Sequence, residues 1–192
     1  MNDIEKLREY ATPLWEKRLE EKQNQVEAFF QKHQEEIIRD FCNSIIENLL
    51  SDTAYKQEEG EQEEVLFLGI SYLHSSLVTG TYEYEINLFN QLLFADEKRK
   101  SMYWHLYFLY QNIEEDEAFL QKELRKRFVR VESHEVEVLR RLFISYYWRV
   151  GLKYFKVLGD ALIKDLEVKK WAGERQFVIL YGEHMGELEE IL

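Results

Sequence analysis

Five histidines stand among 37 acidic residues in this chain of 192, so metal binding is the first chemistry its residue types suggest. Carboxylate-bridged di-metal bundles place Glu and His three residues apart, which sets both ligands on one helix face. Here the order is reversed, His33-x-x-Glu36 and His134-x-x-Glu137. Each pair would still share a face. The bridging glutamates on two further helices, however, cannot be singled out in so Glu-rich a chain. The expectation is no metal and no other cofactor.

Glu183-His184 lies between Gly182 and Gly186, where glycines free the backbone. Neighbours on an extended chain point to opposite faces, so the pair is read as chance proximity. His74 and His105 sit in apolar or aromatic surroundings and read as hydrogen-bonded core or boundary residues. No Gly-rich phosphate loop, Gly-x-Ser-x-Gly elbow, Cys-x-x-Cys pair or HExxH motif is present, and Ser75-Ser76 has no recognisable base partner. An enzyme is therefore the less favoured expectation.

Charge supplies the remaining candidates. Arg149, Lys153 and Lys156 fall within one narrow helical stripe, and Lys122–Arg130 is a second basic run. Either could bind an acidic partner or a phosphate. The competing reading is a solvated face knitted by i,i+4 pairs, Lys156 with Asp160 and Asp160 with Lys164. Arg140 falls inside an apolar arc, flanked by Val136, Phe143 and Tyr147. A buried guanidinium needs a carboxylate or several acceptors. An internal ion pair is the first expectation for it, and a ligand-facing arginine the second. Cys42 is the only cysteine, so no intramolecular disulfide can form. It lies in an apolar row and reads as a small buried hydrophobe.

The elements that must position these residues begin with a long helix from about Ser133 to Val168. Leu139, Phe143, Tyr146, Val150, Tyr154, Leu158, Ala161 and Leu162 recur at helix spacing, with Tyr146, Val150 and Tyr154 at the middle of the apolar arc. A weaker helix is expected over Asp3–Gln25, kinked or restarted at Pro13. A stronger one follows over Val26–Leu50, with two adjacent apolar rows. Ser51 to Glu64 is acidic and reads as a surface loop.

Val65–Leu73 is apolar on both alternate sets, as a strand covered on both faces would be. Thr79-Gly80 supplies a turn, and Tyr82, Tyr84, Ile86 and Leu88 alternate with Glu83, Glu85 and Asn87 as a strand with one wet face. This predicts a β-hairpin, with a further short strand around Leu92–Phe94. One helix through Tyr82–Phe94 is the competing reading. Ser101–Ile113 reads as a helix capped by Ser101, and the next segment runs from Glu114–Glu117 to Lys122–Arg130 in the order that complements a helix dipole. Phe177–Tyr181 reads as a buried strand, and the tail from Glu183 as short helix or loop.

The fold class these elements imply is α+β and predominantly helical: long amphipathic helices around a small antiparallel sheet of two to four strands. The alternative is an all-α bundle. One domain over residues 1–192 is expected. The net charge of −12 argues against binding nucleic acid or an anionic membrane. There is no apolar run of the roughly 20 residues a membrane span needs, and no secretory signal at the N-terminus. The functional expectation is a cytoplasmic protein-interaction module: a regulator, adaptor or neutraliser of a protein partner. Its acid excess would suit a basic partner, and Arg149, Lys153 and Lys156 would contact the partner. The alternative is a small-molecule or metal-dependent enzyme with its site between sheet and helices.

Overall fold

The computed structural model describes residues 4–51, 65–97 and 99–192; the acidic segment expected to be a loop lies, apart from Ser51, outside them. The chain is α+β and 65% helical, with a five-stranded mixed sheet. It divides into two compact units. One comprises the chain up to His33 with Leu106–Gly151, the other Gln34–His105 with Leu152–Leu192.

Helix α1 runs from Ile4 to Ile45 without interruption at Pro13 and continues as a π-helical turn, Ile46–Leu50. Two helices were expected here. Proline removes one backbone donor, but Leu7, Ala11 and Trp15, spaced four apart around it, are all buried and hold the helix in place.

The first unit is helical. Beside its part of α1 it contains α3 (Tyr107–Tyr110), α4 (Ile113–Arg127) and the first half of α5 (Ser133–Lys164). Trp15 stacks on Phe143 at 4.6 Å between ring centroids and meets Tyr147 edge-on at 6.0 Å.

The second unit carries the sheet: β1 (Val65–Tyr72), β2 (Tyr84–Phe89), β3 (Lys100–Trp104), β4 (Gln176–Glu183) and β5 (Leu188–Glu190), in the order β3-β2-β1-β4-β5. Pairing is antiparallel except between β1 and β4, which are parallel. β1 and β4 are the two strands whose sequences are apolar on both faces, as parallel neighbours require. One sheet face meets the second-unit stretches of α1 and α5: Phe155 packs edge-on to Tyr84 at 4.7 Å, and Phe41 to Trp104 at 5.5 Å.

β1 and β2 pair as the hairpin reading anticipated, and residues 84–89 are strand. The connection differs, because helix α2 (His74–Thr79) lies between the strands. Gly80, at φ 73°, ends that helix and donates its N–H to the Ser76 carbonyl, so Thr79-Gly80 is a helix terminus. The expected wet face of β2 is in fact covered. Glu85 is 7% exposed and Asn87 fully buried, because Leu93 and Phe94 fold back over Phe89, Val178 and Leu180. Leu93–Ala95 is a 3-10 turn, not a strand. Ser101 caps no helix; it lies in β3 and donates its hydroxyl to Asn87 Oδ1 at 2.6 Å. The tail forms β5.

α5 ends at Lys164, four residues before the expected end. Asp165 adopts extended geometry, and its carboxylate accepts from the N–H groups of Glu167 and Val168, capping α6 (Leu166–Ala172). The apolar arc of α5 is rotated relative to the sequence reading. Tyr147, Tyr154 and Leu158 are buried, whereas Tyr146 and Val150 are only half-buried.

Candidate functional site

The first unit contains a buried carboxylate that the sequence reading passed over. Asp116 is 1% exposed. One of its oxygens lies 2.8 Å from Arg18 Nε and 2.8 Å from Lys22 Nζ, and the other accepts from the Tyr147 hydroxyl at 3.1 Å. Burial, then the Asp116 charge, pushes the Tyr147 phenol far above its ordinary range. A cavity of about 50 Å³ opens beside this group, walled by Leu19, Val26, Leu109 and Val150. A cavity that binds benzene is about 150 Å³, so this one has room for a few waters only. Asp116 belongs to the run Glu114–Glu117, read as dipole compensation. The spacing Ile113, Asp116, Leu120, Leu124 was the available signal, since it puts Asp116 on the apolar face of α4.

Arg140 forms an ion pair through Nε with Glu117, and its Nη1 lies 3.6 Å from Glu137. Its side chain is 18% exposed. It lines a polar cavity of about 200 Å³ between α4 and the first turns of α5. Glu137 is shared with Arg141 at 3.3 Å. His134 Nδ1 lies 3.6 Å from Glu132, and His33 stacks on Phe29 at 4.5 Å.

In the second unit the opposite-face argument for Glu183 and His184 holds at the end of β4, and each finds its own partner. Glu183 meets His74 Nε2 at 2.8 Å, while His184 Nδ1 lies 2.7 Å from Glu85 Oε2. The second contact is short, but Nδ1 makes no hydrogen bond to a described residue, so it is a close approach rather than a directed hydrogen bond. Ser71, opposite Glu85 in the β1–β2 register, is fully buried, and its hydroxyl has no hydrogen-bond partner among the described residues. No hydrogen bond joins Ser71 to His184, so these residues form no nucleophile–base pair. Burial lowers the pKa of His105 against an opposing effect of Glu83.

Arg149, Lys153 and Lys156 are all exposed on α5. The Arg149 guanidinium lies 4.7 Å over the Tyr146 ring, and Lys153 Nζ 5.7 Å from the Tyr154 ring. Asp160 pairs with Lys164 and not with Lys156, which makes no ion pair with any described residue. In the other basic run, Lys126 pairs with Glu123 and Arg130 with Glu132.

No group of three or more His, Cys, Asp or Glu among the described residues is arranged to hold a metal ion. Nor is any described helix long and apolar enough to cross a membrane. Comparison with protein-family models, with curated proteins and with solved structures finds no match to this chain.

Proposed function

We propose that this chain is a protein-interaction module, and that the exposed α5 cations Arg149, Lys153 and Lys156 contact an acidic segment of a partner protein. The observation that carries this is the exposure of Arg149 and Lys156, neither of which forms an ion pair with a described residue, in a chain with 37 acidic and 25 basic residues. Lys156 loses its expected partner to Lys164. The Arg149 guanidinium lies over the Tyr146 ring, a contact to its carbon that leaves its N–H donors available to a carboxylate. Arg149 belongs to the first unit and Lys153 and Lys156 to the second; their sequence positions i, i+4 and i+7 in α5 have the spacing of one helix stripe.

Anisotropy titration of a fluorescent glutamate-rich peptide tests the reading. The wild-type chain should bind it with an affinity that falls as salt rises. Replacing all three cations by alanine should weaken binding about tenfold or more, from three partly screened charge contacts. Equal binding by the triple variant, or binding of a lysine-rich peptide in place of the acidic one, would remove this face as the docking site.

A further inference from the structure

We infer that the polar cavity between α4 and α5 binds a small oxyanion, a carboxylate or phosphate group on a small molecule, with Arg125 as its principal contact. The cavity is about 200 Å³, larger than the 150 Å³ or so that accommodates benzene in a protein interior. Its lining is polar, and the polar groups divide into two kinds. Arg140, Glu117 and Glu137 are engaged with one another: the guanidinium bridges the two carboxylates, and Arg141 adds a second cation to Glu137. Their charges are mutually compensated, and they form a fixed wall. Gln121, Arg125 and Ser133 line the same space, yet none of their side chains forms a hydrogen bond or ion pair with a described residue.

The compensated wall and the spare groups together define the ligand. Arg140 is paired with Glu117 and Glu137, and Arg141, outside the lining, adds a second cation to Glu137, so Arg125 is the lining charge that forms no ion pair with a described residue. A guanidinium offers parallel N–H donors that match a carboxylate or phosphate in bidentate geometry. The Ser133 hydroxyl and Gln121 amide can donate to the remaining oxygens of such a group. A cationic ligand would face Arg125 without a carboxylate left to receive it.

The test uses the full chain, 15N-labelled, titrated separately with succinate and with inorganic phosphate while the Arg125 Nε–H and Gln121 amide resonances are followed. Saturable shifts of both residues with at least one probe are expected, and the probe that saturates identifies the source of the oxyanion. Arg125→Gln should weaken that binding about tenfold or more, the scale of one lost charge-assisted bidentate contact. Arg125 is exposed, so folding should be unaffected. Ser133→Ala should weaken binding less, and Arg130→Gln should leave it unchanged. Non-saturating shifts with both probes would overturn the proposal, as would equal affinity in Arg125→Gln and wild type. This outcome is independent of whether the glutamate-rich peptide binds at Arg149, Lys153 and Lys156.

Discussion

Asp116 shows what one polar residue does when three donors converge on it. Asp116→Ala leaves Arg18, Lys22 and the Tyr147 hydroxyl without their common acceptor. Removing one partner of a buried ion pair costs about 3–5 kcal/mol. Arg18 and Lys22 retain some solvent contact, so the loss in urea unfolding should fall at the low end of that range. A loss below about 0.5 kcal/mol would show the network to be dispensable. Cys42 makes the second residue-scale prediction. Burial, then the nearby Asp165 charge, pushes its thiol from 9.0 up to about 11. The thiolate is the reactive form, so a thiol reagent at pH 8 should react slowly with the folded chain and rapidly in denaturant. The raised value also links to stability. The unfolded thiol ionises first as pH rises, so this residue's contribution is intact below about pH 9 and lost by about pH 11. Urea unfolding of Cys42→Ser across that window should show a smaller decline than wild type. The burial of Cys42 was legible from its apolar row; that of Asp116 was equally legible but obscured by its acidic neighbours.

The elements were most legible where one strong period governs them. Two rows in α1 and one arc in α5 place their buried residues within a position or so. The arc's centre lies at Tyr147, Tyr154 and Leu158 rather than at Tyr146 and Val150, because packing partners select a facet of a wide arc that sequence alone leaves open. Leu158→Ala should therefore cost about 2–4 kcal/mol, and Arg149→Ala or Lys153→Ala less than about 0.5 kcal/mol each. Chemical denaturation of the three variants checks this, and equal losses would mean the cationic face is packed. Strands were readable only where their own residues carry the signal. Val65–Tyr72 and Phe177–Tyr181 do. Leu188–Glu190 is acidic and becomes a strand only by pairing with Leu180–Gly182, a tertiary effect outweighing local preference. The same strand pair supplies a sharp prediction. A Cβ on Gly182 would lie 2.0 Å from the Glu187 carbonyl oxygen, so Gly182→Ala should lower the melting temperature and release β5. An unchanged melting temperature would contradict the close approach.

For the whole molecule, charge limits what a sequence can say about function. A net charge of −12 describes a long-range field. Which cations are left unspent depends on which carboxylates lie beside them, as Asp160 choosing Lys164 over Lys156 shows. The stripe's residues could be named from spacing; that Arg149 and Lys156 form no ion pair with a described residue could not. Likewise Arg140 could be singled out, but the adjoining cavity depends on how α4 and α5 meet. The most direct test of the interaction reading is lysine footprinting by acetylation, with and without the glutamate-rich peptide. Slower acetylation of Lys153 and Lys156 is expected, with the exposed pair Lys169 and Lys170 unchanged. Uniform slowing of all four, or no slowing of Lys153 and Lys156 while the peptide is bound, would contradict it.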